Sequence, residues 1–200
     1  MRRKEFAVQD RALVEQVLKE ARVAHVSMVD GGGPYGVPVN CAWTGTGLVF
    51  HGARSGRKWA ALAMNPQVHV CVYREYSYIP TWFIPGNDGC QATQFFASVM
   101  MEGRVRVVDD PAEEARLLAL LLDAFQPGIP APGYPEAVLA ATAVFVVEPE
   151  SMEAKFKFGQ QFSDEKRAAV RAGLVERGAY PDLETVDMMD RARKVRDGRA

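Results

Sequence analysis

The stretch "VAHVSMVDGGGPYGVPVNCAWTGTGLVFHG", Val23–Gly52, decides the fold class. "VAHVSMV" (Val23–Val29) alternates as a half-buried strand does, and "DGGGP" then turns the chain. "YGVPVNCAW" and "LVFHG" read as the next two strands, with the glycines of "TGTG" supplying a tight hairpin between them. Parallel neighbours would need a crossover of a dozen or more residues, usually helical. Strands that follow one another this closely are antiparallel, so an α/β fold of βαβ units is excluded.

Working outward, Asp10 can cap a helix in which Leu13, Val14, Val17, Leu18 and Ala21 share one face. After the stretch, "GRKWAALAM" from Gly56 reads as a short helix stopped by "NP". "QVHVCVYRE" is a strand with Val68, Val70 and Val72 on one face and His69, Cys71 and Tyr73 on the other. "YSYIPTWFIPGNDGCQA" is expected to be irregular, and "TQFFASVMMEGRVRVVDD" to be a long strand bulged at Gly103. "PAEEARLLALLLDAF" has Pro at a helix start, acids in its first turn and a leucine face. "PGIPAPGYP" is a loop, and "ATAVFVVEPE" is the last obvious strand. "KFKFGQQ" leads into a polar, helix-prone tail, where Ser163 caps a helix that stops at Gly178. Five or six strands in hairpin order, with helices inserted between them, predict a small antiparallel β-barrel with helices outside.

The chain has 200 residues, 48% hydrophobic and 24% charged, as in an ordinary globular protein. Lys and Arg number 24 against 25 Asp and Glu, a net charge of -1. That balance argues against a generally basic nucleic-acid or membrane-surface binder, so any anion site must be local. The tail "RARKVRDGRA" is locally basic. No apolar run is long enough to span a bilayer, and the start does not read as a signal peptide. Three cysteines (Cys41, Cys71, Cys90) without a CxxC make a disulfide framework unexpected and a reducing cytoplasm the simplest setting.

"HGARSGRK", His51–Lys58, sits at a strand-to-helix corner and holds Arg54, Arg57 and Lys58. Cations at a helix N-terminus oppose the macrodipole and are misplaced on stability grounds. A bound phosphate reverses that sign: free N–H groups, dipole and cations then favour the same dianion. Ser55 can cap the helix or donate to a phosphate oxygen. The spacing is not that of a Walker A loop, because Gly56 is followed by Arg57–Lys58–Trp59. The bland alternative is a set of solvated cations.

His51 ends a strand beside this corner, where it either approaches a ligand or is simply a satisfied histidine. His69 and Cys71 share a strand face, but no second pair is spaced to complete a tetrahedral metal set. Cys41 and Cys71 lie in strand patterns, where a small buried hydrophobe is the default. No nucleophilic triad or carboxylate pair is recognisable by spacing. Tyr76, Tyr78, Trp82 and Phe83 are expected in a ligand-facing flap, with core packing the alternative.

Taken in order, "MRRKE", "GGPYGVPVNCAW", "LVFHGARSGRKWAAL", "NPQVHVCV", "FASVMMEGRVRVV" and "EPESMEAK" resemble the FMN-binding split-barrel superfamily of pyridoxamine 5′-phosphate oxidase. The resemblance covers about Met1 to Lys155 and is greatest to the nitroimidazole-resistance branch. It implies a mainly β fold with α, a six-stranded antiparallel split β-barrel with peripheral helices. It implies a flavin domain over residues 1–155 and a helical extension over 156–200, packed on the barrel or on a dimer partner. It also implies a homodimer with FMN in clefts at the interface.

Carried over by position, Arg57 and Lys58 would hold the FMN phosphate, and His51 and Gly52 would line the ribityl and phosphate end. Val39, Asn40 and Cys41 would run along the isoalloxazine ring with backbone contacts, and Ser98 would approach the flavin. Tyr76, Trp82 and Phe83 are the expected substrate contacts, and His51 is the one candidate for a catalytic role. The implied activity is electron transfer to a small planar acceptor of nitro-aromatic or quinone type. Two features depart from the family. The extra basic residues that hold a substrate phosphate in pyridoxamine phosphate oxidases have no match here, and the segment around "IPTWFIPGNDGCQA" is longer than in the resistance proteins. The tail after Lys155, with "KFKFGQ", is similar to flavin-binding regulators of the superfamily. A non-catalytic flavin- or haem-binding sensor and a deazaflavin-dependent reductase are therefore the competing readings.

Overall fold

The computed structural model describes residues 3–86, 89–130 and 132–196. Met1 and Arg2 of "MRRKE", and 197–200 of the basic tail, lie outside the described residues, as do the side chains of 194–196. The strands are β1 (Ala7–Val8), β2 (Val23–Val29), β3 (Pro34–Trp43), β4 (Leu48–Ala53), β5 (Gln67–Ile79), β6 (Thr93–Val107) and β7 (Thr142–Lys157). The helices are α1 (Arg11–Glu20), α2 (Gly56–Met64), α3 (Pro111–Phe125), α4 (Glu136–Ala141), α5 (Asp164–Arg177) and α6 (Asp182–Arg196). Strand order is β1-β7-β4-β3-β2-β5-β6, and an additional β7–β6 pairing closes six of the strands into a ring. This is the antiparallel split barrel with peripheral helices that the sequence predicts.

Two compact units make up the chain. One comprises Met1–Val14, Tyr73–Ser98 and Ala154–Ala200, and the other Glu15–Val72 and Val99–Glu153. The second unit holds the consecutive strands that decided the fold. Its ladders run Val23↔Asn40 to Val29↔Pro34, Cys41↔Phe50 to Trp43↔Leu48, and Leu48↔Val147 to Ala53↔Thr142. Strand alternation sends Ala24, Val26, Met28, Val39, Cys41, Leu48 and Phe50 to the interior, where Phe50 stacks on Phe145 at 4.9 Å. The opposite face of β3, β4 and β7 is apolar too, with Ala42, Val49, Val144 and Val146 buried under Leu117, Leu118 and Leu121 of α3. Burying each such Val or Leu side chain is worth about 1.5–3 kcal/mol, which makes α3 the second layer of this unit. Gly103 marks a close approach: a Cβ there would strike the backbone of Glu148.

In the first unit, β1 pairs with β7 (Ala7↔Lys155). Phe158 gathers the rings of Tyr76, Phe95 and Phe156 edge-on. Ser163 caps α5 by accepting from Lys166 N, and Gly178 ends it in the left-handed region. Asp182 is buried and accepts from Nη2 and Nε of Arg177 at 2.5 and 2.7 Å and from Ser77 Oγ at 2.6 Å. The Arg177 guanidinium holds its carboxyl below the usual range.

Three boundaries differ from expectation. β5 continues through Tyr76 and Tyr78 to Ile79, so the segment read as irregular begins as strand; its alternation is masked because Tyr76 and Ser77 are both buried. β7 runs to Lys157 instead of stopping near Glu150. α4 occupies "EAVLAA", which the adjoining strand-like "ATAVFVV" hides at the sequence level.

Candidate functional site

The corner after β4 is built by three local features. β3 and β4 pair only as far as Cys41↔Phe50, and beyond that β4 follows β7 alone. Continued by one step, the register would set Asn40 against His51; instead His51's carbonyl accepts from Lys58 Nζ at 3.3 Å. Gly56 then starts α2 with φ of 86°, a conformation that favours glycine. Ser55 stands at the N-cap, its side chain making no capping bond, and the first turn carries no acid.

The three cations of the corner are not equivalent. Arg54 is structural: its Nε donates to Thr142 O at 2.8 Å, and its guanidinium lies 3.7 Å from Glu114. Arg57 donates to Asp30 Oδ2 at 2.5 Å and lies 4.1 Å over the Tyr35 ring. Asp30 also accepts from Gly32 N, and Arg57 holds its carboxyl below the ordinary range. Lys58 has no carboxylate partner among the described residues. Its half-buried ammonium lies 5.4 Å from the Phe50 centroid, and burial pulls its pKa down. A Cβ on Gly52 would come within 2.5 Å of Lys58 Nζ, so the glycine leaves the room that the amine uses. Sequence reading identified the cations but missed Asp30 and Glu114, which neutralise two of them. A turn acid 27 residues away carries no local signal of that pairing.

On β3, Val39 and Cys41 are buried and Asn40 is exposed. Cys41 N–H donates to Arg22 O at 3.1 Å, which commits that backbone group within the protein. Burial pushes the Cys41 thiol up to about 12, so it stays protonated at neutral pH. His51's side chain reaches solvent, yet desolvation first and Lys58 second lower its pKa, which keeps the imidazole neutral at pH 7. Asn40 and His51 line one cavity together.

The remaining predicted residues belong to the other unit. Ser98 is buried and donates to Lys155 O at 3.2 Å. Tyr76 is buried, its ring edge-on to Phe158 at 4.9 Å, so its face is used inside the unit. Trp82 is 71% exposed, and Phe83 packs against Gly173 of α5. These two and Arg177 border a shallow groove along α5. Among the described residues, no group of His, Cys, Asp and Glu is arranged to hold a metal ion, and no helix is long and apolar enough to cross a membrane.

A split barrel with a cationic helix start defines a class of flavin-binding domains, and comparison with known proteins agrees. The family model described as pyridoxamine 5′-phosphate oxidase matches residues 10–156, and the chain belongs to that family, whose members bind flavins. Among solved structures, the flavocytochrome Anf3 of Azotobacter vinelandii is similar with a TM-score of 0.70 and 24% identity, over 84% of this chain and 77% of that one. A FAD and heme binding protein of Mycobacterium smegmatis gives 0.67 and 23%, over 84% and 80%. A candidate 5-nitroimidazole antibiotic resistance protein of Bacteroides thetaiotaomicron gives 0.64 and 21%, over 74% and 85%. At these identities the likeness shows the fold. No curated protein sequence matches the chain.

Proposed function

We propose that the protein is an FMN-binding flavoprotein that passes electrons to a small planar acceptor, working as a cytoplasmic homodimer with flavin at the interface. One observation carries this reading: Lys58 is a half-buried ammonium at a helix N-terminus with no carboxylate beside it. Leaving a charge partly desolvated and unpaired is costly, and an anion arriving at the free N–H groups of α2 relieves it. Lys58, Ser55 and the first N–H groups of α2 would hold the phosphate. Arg57 would join them by sharing its guanidinium with Asp30. His51 and Gly52 would flank the ribityl chain and Val39, Asn40 and Cys41 the ring, and Ser98 is assigned to the flavin by the family resemblance.

Bound flavin supplies the redox chemistry; the chain supplies binding, orientation and electrostatics. His51, neutral at pH 7, can accept or donate a hydrogen bond there without adding charge to the site. The aromatic surface of Trp82 and Phe83 is assigned to the acceptor, and residues 156–200 to a helical extension of a flavin domain spanning 1–155. The test is the absorption spectrum of purified protein, followed by extraction of the cofactor and light scattering for mass. Flavin bands, FMN in the extract and a dimer mass are expected. Reduced holoprotein should then be reoxidised without oxygen by a nitroimidazole or a quinone, more slowly in Trp82→Ala. A Soret band would turn the reading toward a haem-binding sensor, as the names of two structural neighbours allow. An extracted deazaflavin would turn it toward a different reductase.

A further inference from the structure

The aromatic segment that follows β5 is seated on α5, and one residue of that helix makes the seat. Gly173 stands inside α5, where glycine is less stable than alanine. A Cβ there would lie 2.6 Å from Cγ and Cδ1 of Phe83 and 2.8 Å from Cδ2, so the ring rests on the helix backbone itself. One turn further, the Arg177 guanidinium lies over the same ring, 5.2 Å from its centroid, and over Tyr78 at 4.1 Å. Its charge is taken up by the buried Asp182, and its Nη2 also donates to Tyr78 O at 3.1 Å. Near the start of α5, Lys166 Nζ donates to Gln91 Oε1 at 2.6 Å, so the helix holds the segment at both ends. Between those ends, Trp82 meets Phe83 edge-on, at 6.4 Å and 87°, and is itself 71% exposed. Phe83 is thus the link between the helix and an indole that faces solvent.

We infer that Gly173 is a positioning residue for the electron acceptor: its bare backbone fixes Phe83, Phe83 fixes Trp82, and the indole is thereby presented to a planar molecule. The C-terminal extension then has a part in recognising the acceptor, through a helix that touches it only by way of two rings. This rests on the proposal that Trp82 and Phe83 meet the acceptor, and goes beyond it by naming what holds them. A glycine that served the helix alone would predict the opposite sign, because alanine strengthens a helix interior. A positioning glycine predicts that the added methyl drives the ring off its seat and carries the indole with it.

The experiment mixes reduced holoprotein anaerobically with increasing menadione, a planar quinone, and follows flavin reoxidation. The rates give a half-saturating concentration and a limiting rate. Gly173→Ala should raise the half-saturating concentration roughly two- to tenfold, the worth of one stacked ring pair, and leave the limiting rate and the flavin content unchanged. Trp82→Ala sets the full size of the effect. Phe83→Leu, which removes the ring without adding a clash, should give a similar rise and serves if Gly173→Ala does not fold. Adding Gly173→Ala to Phe83→Leu should cost nothing further, since both act through one ring. A wild type that is not reoxidised with saturation, or a Trp82→Ala variant that matches it, overturns the acceptor reading and this inference with it. A raised value in Trp82→Ala beside wild-type values in Gly173→Ala and Phe83→Leu overturns this inference alone. So does a double variant in which the two effects multiply.

Discussion

Two helices of the same unit begin in opposite ways. α3 starts with Pro111 at its first position, Asp110 accepts from the N–H groups of Ala112 and Glu113, and Glu113 and Glu114 place negative charge in the first turn. Every feature answers the orphan N–H groups and the positive dipole end. α2 starts with a serine whose side chain caps nothing, then Arg57 and Lys58. The first helix start is complete within the chain, and the second is complete only with an anion. A stability-only account explains α3 and fails at α2, and that failure locates the candidate site.

The largest expected effect is on the cations. Replacing Arg57 and Lys58 together by Ala should raise the FMN dissociation constant roughly 100-fold, since each charge-assisted bond is worth about 1.5–3 kcal/mol. Because Arg57 already has Asp30, Lys58→Ala alone should account for most of the loss. Flavin fluorescence titration of the singles and the double decides this, and equal effects of the two singles would contradict the inequivalence seen here.

Next in size is Gly52→Ala. Its new methyl would come within 2.5 Å of Lys58 Nζ and displace the amine, with a roughly tenfold loss of flavin affinity expected. Wild-type affinity in this variant would mean that the amine's position is immaterial.

The two helix starts can also be compared by stability. Asp110→Ala should lower the unfolding free energy by about 1 kcal/mol and leave flavin binding alone. Ser55→Ala should leave the apoprotein's stability nearly unchanged while weakening flavin binding. Urea unfolding of both variants checks this, and a loss at Ser55 as large as that at Asp110 would erase the contrast.

The smallest effect is on pH dependence. Burial lowers the pKa of Lys58 from 10.5, so its charge is present at neutral pH and lost as pH rises through that lowered value. FMN affinity should therefore begin to fall below the ordinary lysine range. Lys58→Arg, which stays charged, should shift that fall to higher pH. Identical profiles for the two proteins would remove Lys58 from the phosphate site.

Much of the fold was legible because it is written locally. The alternation of β2 to β4, Asp10 as a cap, the start of α3 at Pro111, the start of α2 at Gly56 and the stop of α5 at Gly178 are each set by neighbours within a few residues. α4 was not legible, because a six-residue helix carries too little periodicity beside a strand-like run. Nor was the end of β5, where Ser77 is buried by hydrogen bonds to Asp182 and Thr185 more than 100 residues away. Of the site, the corner itself was readable as a cluster of cations at a helix start. Which cation remains uncompensated was not, because Asp30 and Glu114 reach Arg57 and Arg54 only through the folded turns.

By itself, then, the sequence determined the antiparallel class, most helix limits and the place where an anion is wanted, since propensity, capping and alternation act over a few residues. Tertiary structure alone decided that β6 meets β7 to close the ring and that β3 and β4 part after Cys41 and Phe50. It also decided that Lys58, and not Arg54 or Arg57, is the cation left without a carboxylate, and that α3 and α4 leave an open apolar pocket beside Asn40 and His51. These depend on register and distance between segments far apart in the chain, and a local pattern of residue types carries no information about either.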